Sequence, residues 1–211
     1  MLIRNILEES VCKFGEVKAV RWLNKKEIME RSYRELMENA VSTRKGLLAE
    51  GFEGKHIALI GTSSVEWMES YLGIITGCTT AVPLDAALPC EDLIDLLNRS
   101  DSAALFLSPK HRPYLEAFLA NCPKLQKVWM LQEEVEDAPA KVYGIDELRN
   151  AGKSASADSA CPEAESVATI IFTSGTTGKS KGVMLTQNNL ASNVEAVKIT
   201  AEPGTAMLSV L

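Results

Sequence analysis

The sequence lacks any apolar run long enough to cross a membrane, and glutamates 8 and 9 interrupt the region where a secretory signal needs apolar residues. It also lacks an excess of positive charge, since its formal net charge is −6. That balance provides neither the electrostatic footprint of a nucleic-acid-binding protein nor a basic face for an anionic membrane. These absences exclude membrane-spanning, secreted and nucleic-acid-binding classes, and they predict a cytoplasmic protein without a membrane segment.

Patterns for metal ligation and disulfide bonding are missing as well. The five cysteines are odd in number and scattered without a CxxC pair, which predicts reduced thiols rather than disulfides or zinc. The two histidines, His56 and His111, have no ligand spacing, and we expect satisfied surface or strand-edge side chains. The acidic run at residues 133–137 has no calcium-loop spacing and predicts a solvated loop.

What the sequence contains is an alternation of apolar strands with amphipathic helices. A helix is predicted over 3–14, a hairpin over 19–31, and a helix capped by Ser32 that ends before Gly51. Strands are then predicted at 57–60, 80–84, 103–107 and 128–131, with helices at 65–76, 91–98 and 113–119. Residues 142–149 suggest no more than a helical turn, and residues 151–165 a loop or linker. The pattern predicts an α/β fold with a mostly parallel sheet flanked by helices on both faces.

Residues 170–186 form the stretch that indicates a chemistry, because hydroxyls, glycines and lysines lie there between two short apolar runs. Gly175 and Gly178 let the backbone approach a ligand, while the hydroxyls and lysines suit phosphate oxygens. A Walker A loop needs a glycine where Thr173 stands, and it opens directly into a helix. Here residues 182–185 predict a returning strand, and Thr186 caps a helix that runs to about residue 198. The alternative interpretation is a plain surface hairpin rich in small polar residues.

Residues 173–182, Thr-Ser-Gly-Thr-Thr-Gly-Lys-Ser-Lys-Gly, resemble the phosphate-loop signature of the adenylate-forming enzymes. That family includes acyl-CoA synthetases, luciferases and the adenylation domains of peptide synthetases. Ser180 stands where the family usually has a proline. Residues 32–36 resemble the family's early motif, and residues 71–77 leading to 81–85 resemble its second. The overall layout is most similar to the long-chain fatty acid CoA ligases.

The resemblance implies an acid-thiol ligase of fatty acid metabolism, in which ATP and Mg²⁺ activate a carboxylate to an acyl-adenylate and coenzyme A accepts the acyl group. A long-chain fatty acid is the expected substrate. Thr173 is also the expected contact to the metal, and no catalytic residue is expected within this chain. The residues that the resemblance assigns to phosphate binding are Thr173, Ser174, Gly175, Thr176, Thr177, Gly178, Lys179, Ser180 and Lys181.

The resemblance also predicts three parts of an incomplete large domain. Residues 1–50 are expected to pack with a subdomain that is mostly absent, residues 51–185 to form an α/β subdomain ending in the phosphate loop, and residues 186–211 to open the next subdomain. Because the sequence stops in the apolar run 206–211, we expect an N-terminal fragment that is inactive alone and prone to self-association. Two alternatives stay open, a peptide-synthetase adenylation domain and a nucleotide-binding regulatory module without catalysis.

Overall fold

Helices and strands alternate along the chain in the computed structural model, which describes residues 2–133, 135, 139–173 and 180–196. The helices are α1 (Ile3–Phe14), α2 (Tyr33–Ala49), α3 (Val65–Ile75), α4 (Cys90–Arg99), α5 (Leu115–Asn121), α6 (Ile145–Ser154) and α7 (Gln187–Ala196). The strands are β1 (Lys18–Asn24), β2 (Glu27–Ser32), β3 (His56–Ile60), β4 (Thr80–Leu84), β5 (Ser102–Leu107), β6 (Lys127–Met130), β7 (Val142–Gly144), β8 (Val167–Thr173) and β9 (Lys181–Thr186). A 3₁₀ helix at Pro109–Tyr114 precedes α5. Among these described helices, none has the length and apolarity that crossing a bilayer requires.

Seven of the described strands form one sheet in the order β7-β6-β5-β3-β4-β8-β9. Neighbouring strands run parallel throughout this sheet, except that β9 returns antiparallel to β8. The strands β1 and β2 form a separate antiparallel hairpin. The predicted α/β fold with a mostly parallel sheet is confirmed.

Helices cover both faces of the large sheet, as predicted. On one face, Leu47 of α2, Ile74 of α3 and Leu148 of α6 pack against alternate strand residues such as Leu59. On the other face, α4 and α5 pack against the intervening strand residues, including Ile60 and Leu105. Because the strands are buried on both faces, they read in the sequence as continuous apolar runs rather than as alternating patterns.

The start of α2 follows from its local sequence. The Ser32 hydroxyl accepts a hydrogen bond from the backbone N–H of Glu35 at 3.2 Å, and the Glu35 carboxylate accepts one from the Ser32 N–H at 2.7 Å. This reciprocal capping box satisfies two N–H groups that the first turn of a helix leaves unpaired. Past the other end of the helix, Gly51 takes a φ of +78°, a conformation that glycine adopts without strain. The predicted cap and the predicted end of this helix are confirmed.

The expectation for residues 142–154 was wrong. The sequence suggested no more than a helical turn before a linker starting at residue 151, but β7 and the ten-residue helix α6 occupy this stretch. The Glu147 carboxylate accepts a hydrogen bond from the Gly144 N–H at 2.9 Å, and Leu148 and Gly152 are buried against α2. Tertiary packing on α2 therefore extends the helix to Ser154, and the irregular segment begins only at Ala155.

Free thiols are found at all five cysteines. Cys122 is buried behind α5, and burial raises the pKa of its thiol to about 11. A thiol with so high a pKa remains protonated and unreactive near neutral pH. Cys122 therefore belongs to the core.

A buried arginine holds the irregular segment that leads from α6 to β8. Arg44 of α2 donates to the Asp158 carboxylate through Nε at 2.8 Å and through Nη2 at 2.6 Å. Its Nη1 donates to the Thr76 hydroxyl at 3.2 Å, at the end of α3. Arg4 of α1 adds a hydrogen bond to the Ser159 carbonyl at 3.0 Å. Asp158 and Ser159, which precede β8, are thus held by side chains of α1 and α2, and Arg44 also contacts the end of α3.

Replacing Asp158 by asparagine should change how stability depends on pH. The hydrogen bond from Arg44 lowers the pKa of Asp158 below its ordinary value of 3.8. Because the folded pKa lies below the unfolded one, the carboxylate stabilises the fold above about pH 4 and loses this effect as pH falls through the folded pKa. Urea unfolding of both proteins between about pH 5 and pH 3 should show a shallower decline for Asp158→Asn. Parallel declines would contradict this role for Asp158.

Candidate functional site

The stretch that resembles a phosphate loop joins two antiparallel strands at the edge of the sheet. In the β8–β9 pair, Thr173 lies opposite Lys181, Phe172 opposite Gly182 and Ile171 opposite Val183. Both Thr173 and Lys181 are exposed, while Ser180 is half-buried. The predicted strand, returning strand and following helix are confirmed by β8, β9 and α7. A Walker A loop would instead have continued into a helix.

The first half of β8 is embedded in the sheet. Ala168 and Thr169 are fully buried, and the Thr169 hydroxyl donates to the Ala81 carbonyl of β4 at 3.1 Å. The Thr80 hydroxyl donates to the Val167 carbonyl at 3.0 Å. From Ile171, which is 38% exposed, the strand leaves the core. The base of the hairpin is therefore held in the sheet. The pairing of Ala81 with Thr169 puts Thr173 just past Leu84, the last residue of β4, at the edge where open α/β sheets bind their ligands.

Helix α7 fixes the far end of β9. The Thr186 hydroxyl accepts a hydrogen bond from the Asn189 N–H at 3.2 Å, and the Asn189 side chain accepts one from the Thr186 N–H at 3.0 Å. Buried Gln187 donates through Nε2 to the Ile75 carbonyl of α3 at 2.6 Å. The predicted helix cap at Thr186 is confirmed, and the hairpin is anchored at both of its basal ends.

Three of the nine residues predicted to bind phosphate lie among the described residues, and the pairing of β8 with β9 places them together. They are Thr173, Ser180 and Lys181. The other six, Ser174, Gly175, Thr176, Thr177, Gly178 and Lys179, lie outside the described residues. At the base of the loop the site thus presents a hydroxyl and an ammonium group on facing strands. A hydroxyl donates or accepts hydrogen bonds and an ammonium donates three, which suits anionic oxygens.

A residue that the sequence did not point to also contacts this hairpin. Arg99, the last residue of α4, donates through Nη2 to the Ser180 carbonyl at 2.5 Å. Its guanidinium carbon lies 5.4 Å from the centre of the Phe172 ring. From the sequence alone, Arg99 is a basic residue in the last turn of a helix, and such a residue indicates no more than a favourable interaction with the helix dipole. No spacing signal connects Arg99 with a loop that lies some eighty residues further along the chain.

The two histidines have structural partners. His56 at the start of β3 contacts the Ser100 carbonyl through Nδ1 at 2.7 Å. His111 lies 2.9 Å from the Ser108 hydroxyl and 2.8 Å from the Ala86 carbonyl. The expectation that His111 is a surface or strand-edge residue was wrong, because it is buried in the 3₁₀ helix, where these contacts satisfy both ring nitrogens.

Acidic and metal-ligating side chains do not assemble into a metal cage in the part of the chain that the structure describes. Glu133, the first residue of the acidic run, forms an ion pair with Arg112. Glu134, Glu136 and Asp137 lie outside the described residues.

Comparison with known proteins identifies a family and relatives for this chain. The chain matches the family described as AMP-binding enzyme over residues 7–211. It is 27% identical to long chain acyl-CoA synthetase 8 of Arabidopsis thaliana over 79% of this chain and 25% of the relative. It is 29% identical to the oxalate–CoA ligase of the same plant over 93% of this chain and 37% of the relative. The chain thus spans between about a quarter and two fifths of the length of these curated relatives.

The fold is shared with solved adenylate-forming enzymes. The anthranilate CoA ligase AuaEII, solved in complex with anthranoyl-AMP, superposes with a TM-score of 0.80 at 19% identity. The match covers 94% of this chain and 38% of that structure. The predicted fold, the N-terminal part of an adenylate-forming domain, is confirmed. On the sequence match and the shared architecture together, the chain belongs to the AMP-binding enzyme family.

Proposed function

We propose that this chain supplies the part of an AMP-forming acid-thiol ligase that binds the phosphates of ATP, here called the phosphate grip. The observation that carries the proposal is the β8–β9 hairpin, on which Thr173 and Lys181 face each other at the two ends of the hydroxyl- and glycine-rich loop. Membership of the AMP-binding enzyme family and acyl-CoA synthetase relatives support it. The remainder of the active site would come from sequence equivalent to the part of the relatives that this chain does not span.

In the proposed reaction an oxygen of the substrate carboxylate attacks the α-phosphorus of ATP. The bond from that phosphorus to the oxygen bridging to the β-phosphorus breaks, and pyrophosphate leaves with the electron pair. The thiol sulfur of coenzyme A then attacks the acyl carbon of the adenylate, and AMP leaves. Negative charge builds on the departing phosphates, so fixed donors placed there stabilise the transition state more than the ground state. Lys181 and the loop hydroxyls would supply such donors.

Magnesium fits the donor set that the hairpin offers. Mg²⁺ is commonly held by one or two protein oxygens together with substrate phosphates, rather than by a cage of side chains. We propose that the exposed Thr173 hydroxyl would be the protein oxygen that holds the ion, together with phosphate oxygens of bound ATP. Bound there, the ion would neutralise charge on the leaving pyrophosphate. Lys181, directly opposite Thr173 on the neighbouring strand, would neutralise part of the same charge.

A long-chain fatty acid is the substrate class that we propose for the carboxylate, with coenzyme A as the acceptor. Long-chain acyl-CoA synthetases among the relatives support this choice. A relative of similar identity is an oxalate–CoA ligase, so comparing activity on a long-chain fatty acid with activity on oxalate tests this choice. We further propose that the 211-residue chain alone forms no acyl-adenylate, since its relatives use a much longer polypeptide. Carboxylate-dependent adenylate formation by this chain alone would contradict that proposal.

Replacing Thr173 or Lys181 by alanine tests the proposed site in the full-length protein. Each variant should lower the rate of carboxylate-dependent exchange of labelled pyrophosphate into ATP by about 100- to 1,000-fold, the usual effect of removing one transition-state donor. Lys26→Ala, which removes an exposed lysine from the turn of the β1–β2 hairpin, is the matched control and should retain the wild-type rate. Exchange at the wild-type rate in both loop variants would remove the roles proposed for these residues.

A further inference from the structure

Arg99 contacts Phe172 of β8 and Ser180, the residue just before β9, each of which is next to the Thr173–Lys181 pair. Its Nη2 donates to the Ser180 carbonyl at 2.5 Å, immediately before Lys181. Its guanidinium carbon lies 5.4 Å from the centre of the Phe172 ring, immediately before Thr173. One side chain on a neighbouring helix thus contacts the residue that precedes each of the two proposed phosphate contacts.

The chemistry of these contacts requires an arginine. A planar guanidinium can lie against an aromatic ring while its edge donates hydrogen bonds in fixed directions. Arg99 uses the remaining terminal nitrogen, Nη1, for an ion pair with Asp95 at 3.1 Å, one turn earlier on α4. The Arg99 side chain is 37% exposed and that of Asp95 is 61% exposed, so this ion pair is a surface contact that contributes little. A lysine ammonium could reach one partner but could not stack on the ring with the same fixed orientation.

We propose that Arg99 is a positioning residue for the phosphate grip. It holds the beginning of β9 against the end of β8, and so keeps Lys181 in register with Thr173 when ATP binds. This inference rests on the proposed function of the hairpin. It assigns Arg99 no contact with substrate, and the terminal nitrogens of Arg99 donate to Ser180 and Asp95.

Steady-state kinetics of the full-length protein separate positioning from general stability. Because a small misplacement of binding groups is costly, we expect Arg99→Ala to raise the KM for ATP about tenfold. The KM for the carboxylate should stay within about twofold of wild type, since the hairpin contributes to the phosphate site alone, while kcat should also fall because the displaced donors act in the transition state. Arg99→Lys should recover part of the loss. Asp95→Ala, which removes the ion pair but neither hairpin contact, is the matched control and should behave as wild type.

Hydrogen exchange without nucleotide tests the same inference independently of catalysis. In Arg99→Ala the amides of residues 172 and 181–183 should exchange about tenfold faster than in Asp95→Ala, while those of residues 168–170, in the buried half of β8, stay unchanged. Phe172→Leu, which keeps an apolar side chain but removes the ring, should resemble Arg99→Ala, and it replaces that variant if Arg99→Ala fails to fold.

The outcomes distinguish failure of this inference from failure of the proposed function. If Thr173→Ala impairs pyrophosphate exchange but Arg99→Ala matches Asp95→Ala in both kinetics and hydrogen exchange, Arg99 has no positioning role. If the wild-type protein binds and turns over no ATP, the proposed function fails, and the hydrogen-exchange comparison alone decides whether Arg99 orders the hairpin. If Arg99→Ala lowers kcat but its amides at residues 172 and 181–183 exchange as in Asp95→Ala, the hairpin is undisturbed and the inference is overturned.

Discussion

Replacing Glu69 by alanine is expected to lower the free energy of unfolding by about 3 to 5 kcal/mol, because it leaves a buried arginine without its counter-charge. Glu69 of α3 is fully buried, and its carboxylate accepts a hydrogen bond from Arg149 of α6 at 2.9 Å. Asn39 of α2 donates to the other oxygen at 2.8 Å, and Arg31 of β2 approaches it at 3.4 Å. The carboxylate therefore joins three helices and the N-terminal hairpin.

Burial raises the pKa of Glu69, while Arg149, Asn39 and Arg31 oppose that shift. The cost of burying the Glu69 carboxylate is thus offset by its partners, and removing Glu69 alone leaves the buried charge of Arg149 without compensation. Stability should therefore return only when Glu69 and Arg149 are both replaced. Replacing an ion pair of this kind by apolar residues is commonly neutral, so Glu69→Leu with Arg149→Met should recover most of the stability lost in Glu69→Ala. Urea unfolding measures these differences.

A surface pair provides the control for this prediction. Lys124 lies 2.6 Å from Asp101, and both side chains are more than 60% exposed. Lys124→Ala should therefore cost less than about 1 kcal/mol. If Glu69→Ala costs as little as Lys124→Ala, the buried cluster does not hold the helices together as described.

Replacing Gly152 by alanine should lower the free energy of unfolding by about 3 kcal/mol, because the added methyl group would overlap the backbone of α2. A Cβ atom at this position would lie 1.8 Å from the Ser42 carbonyl oxygen and 2.7 Å from the Gly46 nitrogen. Backbone atoms cannot rotate aside as a flexible side chain can, so α6 and α2 would have to separate. For a chain of this size the loss corresponds to a melting temperature lower by roughly 6 to 12 °C.

Gly144→Ala is the matched control, because it adds the same methyl group only eight residues earlier. There the nearest atom to a Cβ would be 3.5 Å away, and φ is −79°, which any residue adopts. Calorimetry should therefore find the melting temperature of Gly144→Ala close to that of wild type. Equal melting temperatures for the two variants would show that α6 does not approach α2 as closely as the structure indicates.

Most of the fold could be predicted because its signals are local. Capping by Ser32 and Glu35 starts α2, short apolar runs form the strands, and the apolar residues at either end of the loop predict β8 and β9. In each case the interacting residues are a few positions apart in the sequence, so spacing alone carries the information.

The rest depends on contacts between distant parts of the chain. Gly152 reads in the sequence as a linker glycine, yet it lies inside α6 because α2 approaches there. Arg99 reads as an ordinary helix-terminal residue, yet it contacts the hairpin about eighty residues away. His111 is buried because the turn at Ala86 folds over it. None of these pairings leaves a periodic signal, so neither the length of α6 nor the support of the hairpin could be predicted.

The most direct test of the central claim is the identity of the nucleotide products. The full-length protein is incubated with ATP, Mg²⁺, a long-chain fatty acid and coenzyme A, and the products are separated by chromatography. If the hairpin grips the β- and γ-phosphates for departure as pyrophosphate, AMP and pyrophosphate should form in equal amounts and only when the fatty acid is present. Formation of ADP and inorganic phosphate, or of AMP at the same rate without any carboxylate, would contradict the account.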